Sequence, residues 1–296
     1  MNIFLVSDEE RAAVMDMLPE GVAEEEPVLF CAAEEVEGEL RIVGILSATM
    51  EGNSWYITHI AVEKDMRRKG IGRALVSGLV DMARGSLADG ISLEYCLDPN
   101  ADPVADAFFD ALKFTEVQRS NIYSIPVLYI GSRLQKLLAD IPEGNYICLK
   151  DIPGRLWAQL RQDLTALGED YNPSPKTPLK KQMLYIDPGD RRLYDGDISS
   201  VFLAKNGSVG GCILMSERKQ GISVDYVCTL LDDTLEYSGA LTGIFWLSYQ
   251  QILEKYGDNV RLFANTQNDM SERLFLKFAA GKKEVYGVSV EREMAL

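Results

Sequence analysis

The stretch Ile60-Ala61-Val62-Glu63-Lys64-Asp65-Met66-Arg67-Arg68-Lys69-Gly70-Ile71-Gly72-Arg73-Ala74-Leu75 decides the fold. An apolar strand ends at Val62, a short basic loop follows, and a helix opens at the glycines. Four of the seven residues from Arg67 to Arg73 are cationic. Gly70 and Gly72 let backbone N–H groups turn inward, and the helix N-terminus adds partial positive charge. Together they make a site for a pyrophosphate or a similar anion, each charge-assisted hydrogen bond contributing about 1.5–3 kcal/mol. Two other phosphate loops are excluded. A Walker A loop needs Gly-x-x-x-x-Gly-Lys-Ser/Thr, and no Ser or Thr is present. A dinucleotide fingerprint needs a third glycine, which Ala74-Leu75 does not supply. The plain alternative, a solvated basic turn, fits poorly with a position directly after an apolar strand.

Working outward, the first 130 residues alternate strands and helices. Upstream lie a strand over Met1–Ser7, a helix over Asp8–Leu18 capped by Ser7 or Asp8, and an acidic loop over Glu20–Glu26. Val28–Glu35 and Leu40–Thr49 read as a hairpin around Glu37-Gly38, followed by the strand Trp55–Val62. Downstream come an amphipathic helix over Gly72–Arg84, a strand over Ile91–Leu97, a helix over Pro103–Leu112 and a strand over Asn121–Ile130. A helix over Ser132–Ala139 and a Pro-Glu-Gly turn mark a boundary. The expected division is a domain over 1–130, a linker over 131–144 and a second domain over 145–296.

The second half repeats the order. It begins with a strand over Tyr146–Lys150, a helix over Gly154–Leu167 and a Pro- and Lys-rich loop over Asn172–Lys181. Val201–Lys205 and Val209–Ser216 then form a hairpin around Asn206-Gly207. The strand Ile222–Thr229, helix Gly239–Tyr256, strand Val260–Asn265, helix Ser271–Ala279 and strand Glu284–Val290 follow. Gly44 matches Gly211, Gly70 matches Gly239, Leu93 matches Leu262 and Phe109 matches Phe275, each pair 166 to 169 positions apart. Element-matched offsets this even predict a duplicated β/α unit.

Composition bounds the function. The 296 residues carry 30 Lys+Arg against 45 Asp+Glu, a net charge of −15. Such a field disfavours nucleic acid and anionic membrane surfaces as partners and mildly favours cationic ones, such as amines. Five cysteines stand singly and His59 is the only histidine, so neither a disulfide framework nor a metal site is expected. The N-terminus shows no basic and apolar leader pattern, and no apolar run reaches the ~18–20 residues that span a bilayer. The expected location is the cytoplasm.

The quoted loop resembles the signature of the GNAT superfamily of acyl-CoA-dependent N-acyltransferases. That signature is a strand ending Ile/Leu-Ala-Val, here Ile60-Ala61-Val62, then Arg/Gln-x-x-Gly-x-Gly/Ala, here Arg67-Arg68-Lys69-Gly70-Ile71-Gly72. Phe108-Phe109-Asp110-Ala111-Leu112-Lys113-Phe114 is similar to the family's Leu-Tyr-x-x-Leu-Gly-Phe, and Asp102 sits where the family often has Asn. The resemblance implies an α/β (α+β) fold: two tandem GNAT-like domains, each a mixed, mostly antiparallel sheet flanked by helices and splayed in the middle. It implies that Arg67, Arg68, Lys69, Gly70, Ile71 and Gly72 hold the pyrophosphate of acetyl-CoA. The backbone of Ile60, Ala61 and Val62 would pair with the pantetheine arm, and Arg73 and Ala74 would line the same pocket. The family's tyrosine is replaced by Phe109 and its glycine by Lys113, so one general acid is missing.

An alkyl amine with pKa near 10.4 is protonated at pH 7, and deprotonating it costs roughly 4–5 kcal/mol. A base or a water relay is therefore expected. Period-two alternation puts Tyr56 and Thr58 on one strand face and His59 on the other. Tyr56, His59 and Glu94 are the candidates, each with a plain structural alternative, and no base is assigned. The second copy's counterpart, Leu235-Glu236-Tyr237-Ser238-Gly239-Ala240-Leu241, has no cation, and Glu236 and Asp232-Asp233 would repel a pyrophosphate. Asn268 matches the family's asparagine. The expected function is acyl transfer from acetyl-CoA to a small-molecule, peptide or protein amine in the N-terminal half. The second half would be a structural or substrate-shaping copy. The tandem arrangement would stand in for a dimer, giving a monomer or weak dimer. The alternatives are a non-catalytic acyl-CoA sensor or protein-interaction module, and an aminoacyl transferase using charged tRNA, which the net charge disfavours.

Overall fold

The computed structural model describes residues 2–19, 27–36, 38–100, 104–141, 145–170, 194–230, 239–266, 269–279 and 284–296. The chain folds as two compact units. One comprises Met1–Leu97, Ala101–Gln118 and Val290–Leu296; the other comprises Asp98–Asn100 and Arg119–Ser289. The segment 131–144, expected as a linker, lies inside the second unit.

In the first unit β1 (Asn2–Leu5), β2 (Val28–Val36), β3 (Glu39–Glu51) and β4 (Ser54–Val62) pair antiparallel in that order. β5 (Gly90–Leu97) runs parallel to β4, and the last residues of β12 (Glu284–Ala295) follow β5 in the sheet. Helix α1 (Asp8–Val14) covers one face, where Val14 packs with Leu29, Cys31 and Ile45. Helices α2 (Ile71–Gly85) and α3 (Val104–Ala111) cover the other. Along α2 the positions Ile71, Leu75, Val76, Leu79 and Ala83 are buried, a helical stripe at three- and four-residue spacing. Fully burying a leucine such as Leu75 or Leu79 stabilises the fold by about 1.5–3 kcal/mol.

The second unit repeats this plan. β7 (Asn145–Cys148), β8 (Ser200–Leu203), β9 (Val209–Arg218) and β10 (Gly221–Thr229) pair antiparallel. β11 (Arg261–Thr266) runs parallel to β10, and β6 (Thr115–Pro126) pairs antiparallel with β11 through Asn121–Pro126. Helices α4 (Val127–Gln135), α6 (Ala240–Tyr256) and α7 (Asp269–Ala279) cover one face, and α5 (Gly154–Asp170) covers the other. The two units thus share one strand order, and each takes its last strand from the other half of the chain. Gly70 and Gly239, a matched pair, both cap their helices in the left-handed region, at φ 82° and 91°.

Two expectations change. The apolar run 127–130 is the start of α4, not the end of a strand. Val127, Ile130, Gly131 and Leu134 are its buried positions, a helical period that the short run Val-Leu-Tyr-Ile conceals. The helix expected over Ser132–Ala139 is the remainder of α4, which ends at Gln135. The expected loops at Glu20–Glu26 and Asn172–Lys181 lie outside the described residues.

Lys113 adopts φ 67° where the resembling motif has glycine. A side chain pays about 1–2 kcal/mol for that region, and glycine returns about 0.4–1 kcal/mol of it in unfolded-state entropy. Lys113→Gly should therefore raise stability by about 0.5–1 kcal/mol. A urea titration showing a lower midpoint would contradict this.

Candidate functional site

The site is built where β4 runs out. β4 and β5 pair only from Ser54 with Gly90 to Ile57 with Leu93, although β4 continues to Val62 and β5 to Leu97. Beyond that point the strands part. Ile60, Ala61 and Val62 stay half-buried there, bound on their other side to β3. Arg67 Nε donates to the Val62 carbonyl at 3.0 Å, tying the loop to the strand end.

A single 3₁₀ turn, Lys64–Met66, starts the loop and is anchored by buried Met66. Arg68 takes φ 67° and Gly70 φ 82°, and this alternation turns successive backbone amides to one side. The first helical bond runs from the Ala74 N–H to the Gly70 carbonyl at 3.0 Å. The amides of Ile71, Gly72 and Arg73 precede it and are the unpaired donors of a helix N-terminus. Arg67, Arg68, Lys69 and Arg73 are all exposed, and none forms an ion pair among the described residues. The loop therefore concentrates positive charge and free amides where the sheet opens.

Gly72 has a further role. A Cβ there would lie 3.0 Å from the Phe108 ring, so the glycine lets α2 and α3 approach. Gly70, Arg73 and Ala74 also border a cavity of about 540 Å³ on the β1 flank of α2, with Phe4, Phe30 and Ser77.

The three base candidates are brought to one face. Ser47 pairs with His59 and Ala48 with Ile57, so Thr58 is the extra residue of a β-bulge. A bulge inverts the alternation, which corrects the expectation that His59 opposes Tyr56. Tyr56 lies opposite Thr49 and His59 opposite Ser47, two β3 residues on one face. Tyr56 also pairs with Ser92, and Glu94 follows two positions later on that same face. Thr58 Oγ1 lies 2.7 Å from Ser47 Oγ. Burial lowers the His59 pKa from its ordinary value, which keeps the imidazole neutral and able to accept a proton at neutral pH. The sign follows: this contribution is neutral above the usual pKa, and stability falls as the pH drops through it.

Phe109, at the position of the missing tyrosine, is 4% exposed and stacks on Tyr95 with ring centroids 5.2 Å apart. Tyr95 went unnoticed in the sequence. Its hydroxyl donates to Asp106 and accepts from Arg292 Nε at 2.7 Å, and burial pushes its pKa up. It is held as a structural group. Among the described residues no group of three or more His, Cys, Asp or Glu side chains could hold a metal ion, and no helix is long and apolar enough to cross a membrane.

In the second unit, residues 235–238 of the segment matching the basic loop and Asn268 lie outside the described residues, as does Asp102 in the first.

Residues 4–114, most of the first unit, match the model of the acetyltransferase (GNAT) family. The whole chain has the tandem GNAT fold. It is similar to a tandem GNAT protein from the clavulanic acid biosynthesis pathway, at 14% identity over 99% of this chain and 98% of that one, with a TM-score of 0.65. A GCN5-related N-acetyltransferase from Sphaerobacter thermophilus matches at 13% identity over 98% and 86%, TM-score 0.56. The GCN5-related glucosamine N-acetyltransferase region of a fungal multi-domain GH3 β-N-acetylglucosaminidase matches at 14% over 99% and 38%, TM-score 0.65. No curated protein matches the chain.

Proposed function

We propose that the protein transfers an acyl group from acetyl-CoA, or a close acyl-CoA, to an amine, with the chemistry in the first unit. The observation that carries this reading is the basic loop, Arg67 to Arg73, set at the open end of the β4–β5 pair. In this reading the loop amides and guanidinium groups bind the pyrophosphate, and the unpaired edge of Ile60–Val62 receives the pantetheine arm. Acetyl-CoA supplies the activated acyl group. Tyr56, His59 and Glu94 lie on the face where an acceptor amine would lose its proton, and neutral His59 suits that task best. The chain's charge of −15 favours a cationic acceptor over nucleic acid or anionic lipid. The tandem units take the place of a dimer, and the protein works as a single chain in the cytoplasm.

Titration with acetyl-CoA should give one site per chain, because the second copy offers no cation at the matching loop. A stoichiometry of two would overturn that assignment. Phe109 favours a second reading, a non-catalytic acyl-CoA sensor, because no hydroxyl stands there to protonate a leaving thiolate. Release of free CoA in the presence of a panel of amines separates the two. Binding without release from any amine would favour the sensor.

A further inference from the structure

The second unit carries a bulge at the position that matches Thr58. In β10 the register passes from Val224 opposite Met215 to Tyr226 opposite Leu214, so Asp225 is the extra residue. Thr58 and Asp225 stand 167 positions apart, within the spacing of the duplication. The sheet parts at the same place: β10 and β11 pair only from Ile222 with Leu262 to Val224 with Ala264, while β10 continues to Thr229. Asp225 to Cys228 are half-buried along that free stretch, although β10 is a central strand.

The two bulges differ in how their polar groups are satisfied. In the first unit the Thr58 and Ser47 hydroxyls bind each other. In the second, Asp225 Oδ1 accepts from Ser223 Oγ at 2.6 Å and lies 3.8 Å from Arg218 Nη2. Its Oδ2 is buried and has no partner. Ser216, directly across from Ser223, is 6% exposed, and its buried Oγ has no partner either. Ser216 and Ser223 share the face of Leu214 and Tyr226, the side of the sheet covered by α5 and Tyr194. Trp157 of α5, in the same core, has a third unpartnered polar atom, Nε1. Four such atoms occur among the described residues, and these three fall on one face of one unit. Tyr194 is 8% exposed in the same core, where burial and then the Asp225 charge push its pKa up to about 12.

Leaving a buried carboxylate oxygen without a donor is expensive, and nothing in the fold requires a carboxylate at this bulge, since Thr58 fills the same position. We propose that the second unit, where β10 parts from β11, binds the ammonium group of an organic primary amine, held by Asp225 with Ser216 and Tyr194. A primary ammonium brings three N–H donors, which match one carboxylate oxygen and two hydroxyl oxygens. This site is separate from the acyl-CoA loop and does not depend on acyl transfer in the first unit. It makes the second copy a receptor for amines.

The test is calorimetric titration of the full chain with n-butylammonium chloride, without acetyl-CoA, alongside Asp225→Asn. Saturable binding is expected in the native protein, weakened roughly tenfold or more by Asp225→Asn. Tetramethylammonium, which has no N–H, should not compete. Without amine, the melting temperature of Asp225→Asn should equal or exceed the native one, since the substitution removes the charge from a carboxylate whose buried Oδ2 has no donor. The amine-induced rise in melting temperature should disappear in the variant. No heat of binding in the native protein would mean that water alone fills the site. Equal binding in the variant would place the amine elsewhere. A large loss of stability in the variant without amine would make Asp225 structural. Each of these three results overturns the proposal. Acetyl-CoA titration of the native protein reports on the basic loop independently, so failure of one reading is visible apart from the other.

Discussion

A chain carrying Arg68→Glu and Gly70→Asp should lose measurable binding of acetyl-CoA. The pair replaces a cation by an anion and adds a second anion beside amides that must meet a pyrophosphate. Micromolar binding amounts to about 8 kcal/mol in all, and each charge-assisted bond to the phosphates contributes about 1.5–3 kcal/mol. Losing two such bonds and adding like-charge repulsion weakens binding by roughly a hundredfold or more. The fold should survive. Gly70 is exposed at φ 82° with open space around it, aspartate is among the residues that visit this region, and it is a favourable helix N-cap. Calorimetry on a variant whose melting temperature is unchanged is the measurement. Native-like affinity in that variant would remove the basic loop from the site.

How much of this was readable in the chain depends on range. The basic loop is local: its charges, its glycines and the strand before it lie within sixteen consecutive residues. The duplication was also legible, because Gly70 and Gly239 answer the same local need for a left-handed helix cap. The bulge at Thr58 was not. Nothing in Ser54–Val62 marks it, since it is set by the register against β3. With it went the correct face of His59. The exchange of last strands was invisible for a similar reason. Sequence order puts β6 next to the first copy, and only the pairing of Asn121–Pro126 with β11 shows which unit it serves. Val127–Ile130 was misread because four apolar residues fit a strand and a helix equally well.

Asp225 and Arg292 illustrate the same limit at single positions. Arg292 sits between two other charges in Glu-Arg-Glu and Asp225 close to polar Ser and Tyr in Ser-Val-Asp-Tyr, and both look like solvated strand residues. A signal for Arg292 did exist. Val290 and Arg292 are two apart and both buried, so the arginine falls on an inward position. An inward arginine needs partners, and those come from elements nearly 180 residues earlier.

Replacing Arg292 by methionine should destabilise the first unit by about 3 kcal/mol or more. The side chain is 3% exposed. Its guanidinium reaches Asp106 at 3.2 Å, Tyr95 at 2.7 Å, the Phe114 carbonyl at 3.4 Å and Asp110, with Glu116 at 3.8 Å. Methionine fills much of the volume and none of these bonds. It takes the cation away from Asp106 and the Nε donor away from the half-buried Tyr95 hydroxyl, and removing one partner of a buried pair is the costly direction. Arg292→Lys keeps the charge but cannot serve a carboxylate, a phenol and a carbonyl at once, so it should fall between the two. The consequence reaches the candidate site. Phe109 stacks on Tyr95, Phe108 packs over Gly72, and Gly72 is in the basic loop. A segment from the far end of the chain therefore supports the loop. A fragment spanning 1–130 lacks that segment and should bind acetyl-CoA far more weakly than the full chain. Equal urea midpoints for the native protein and Arg292→Met, together with full affinity in the fragment, would show that the last strand is dispensable to the first unit.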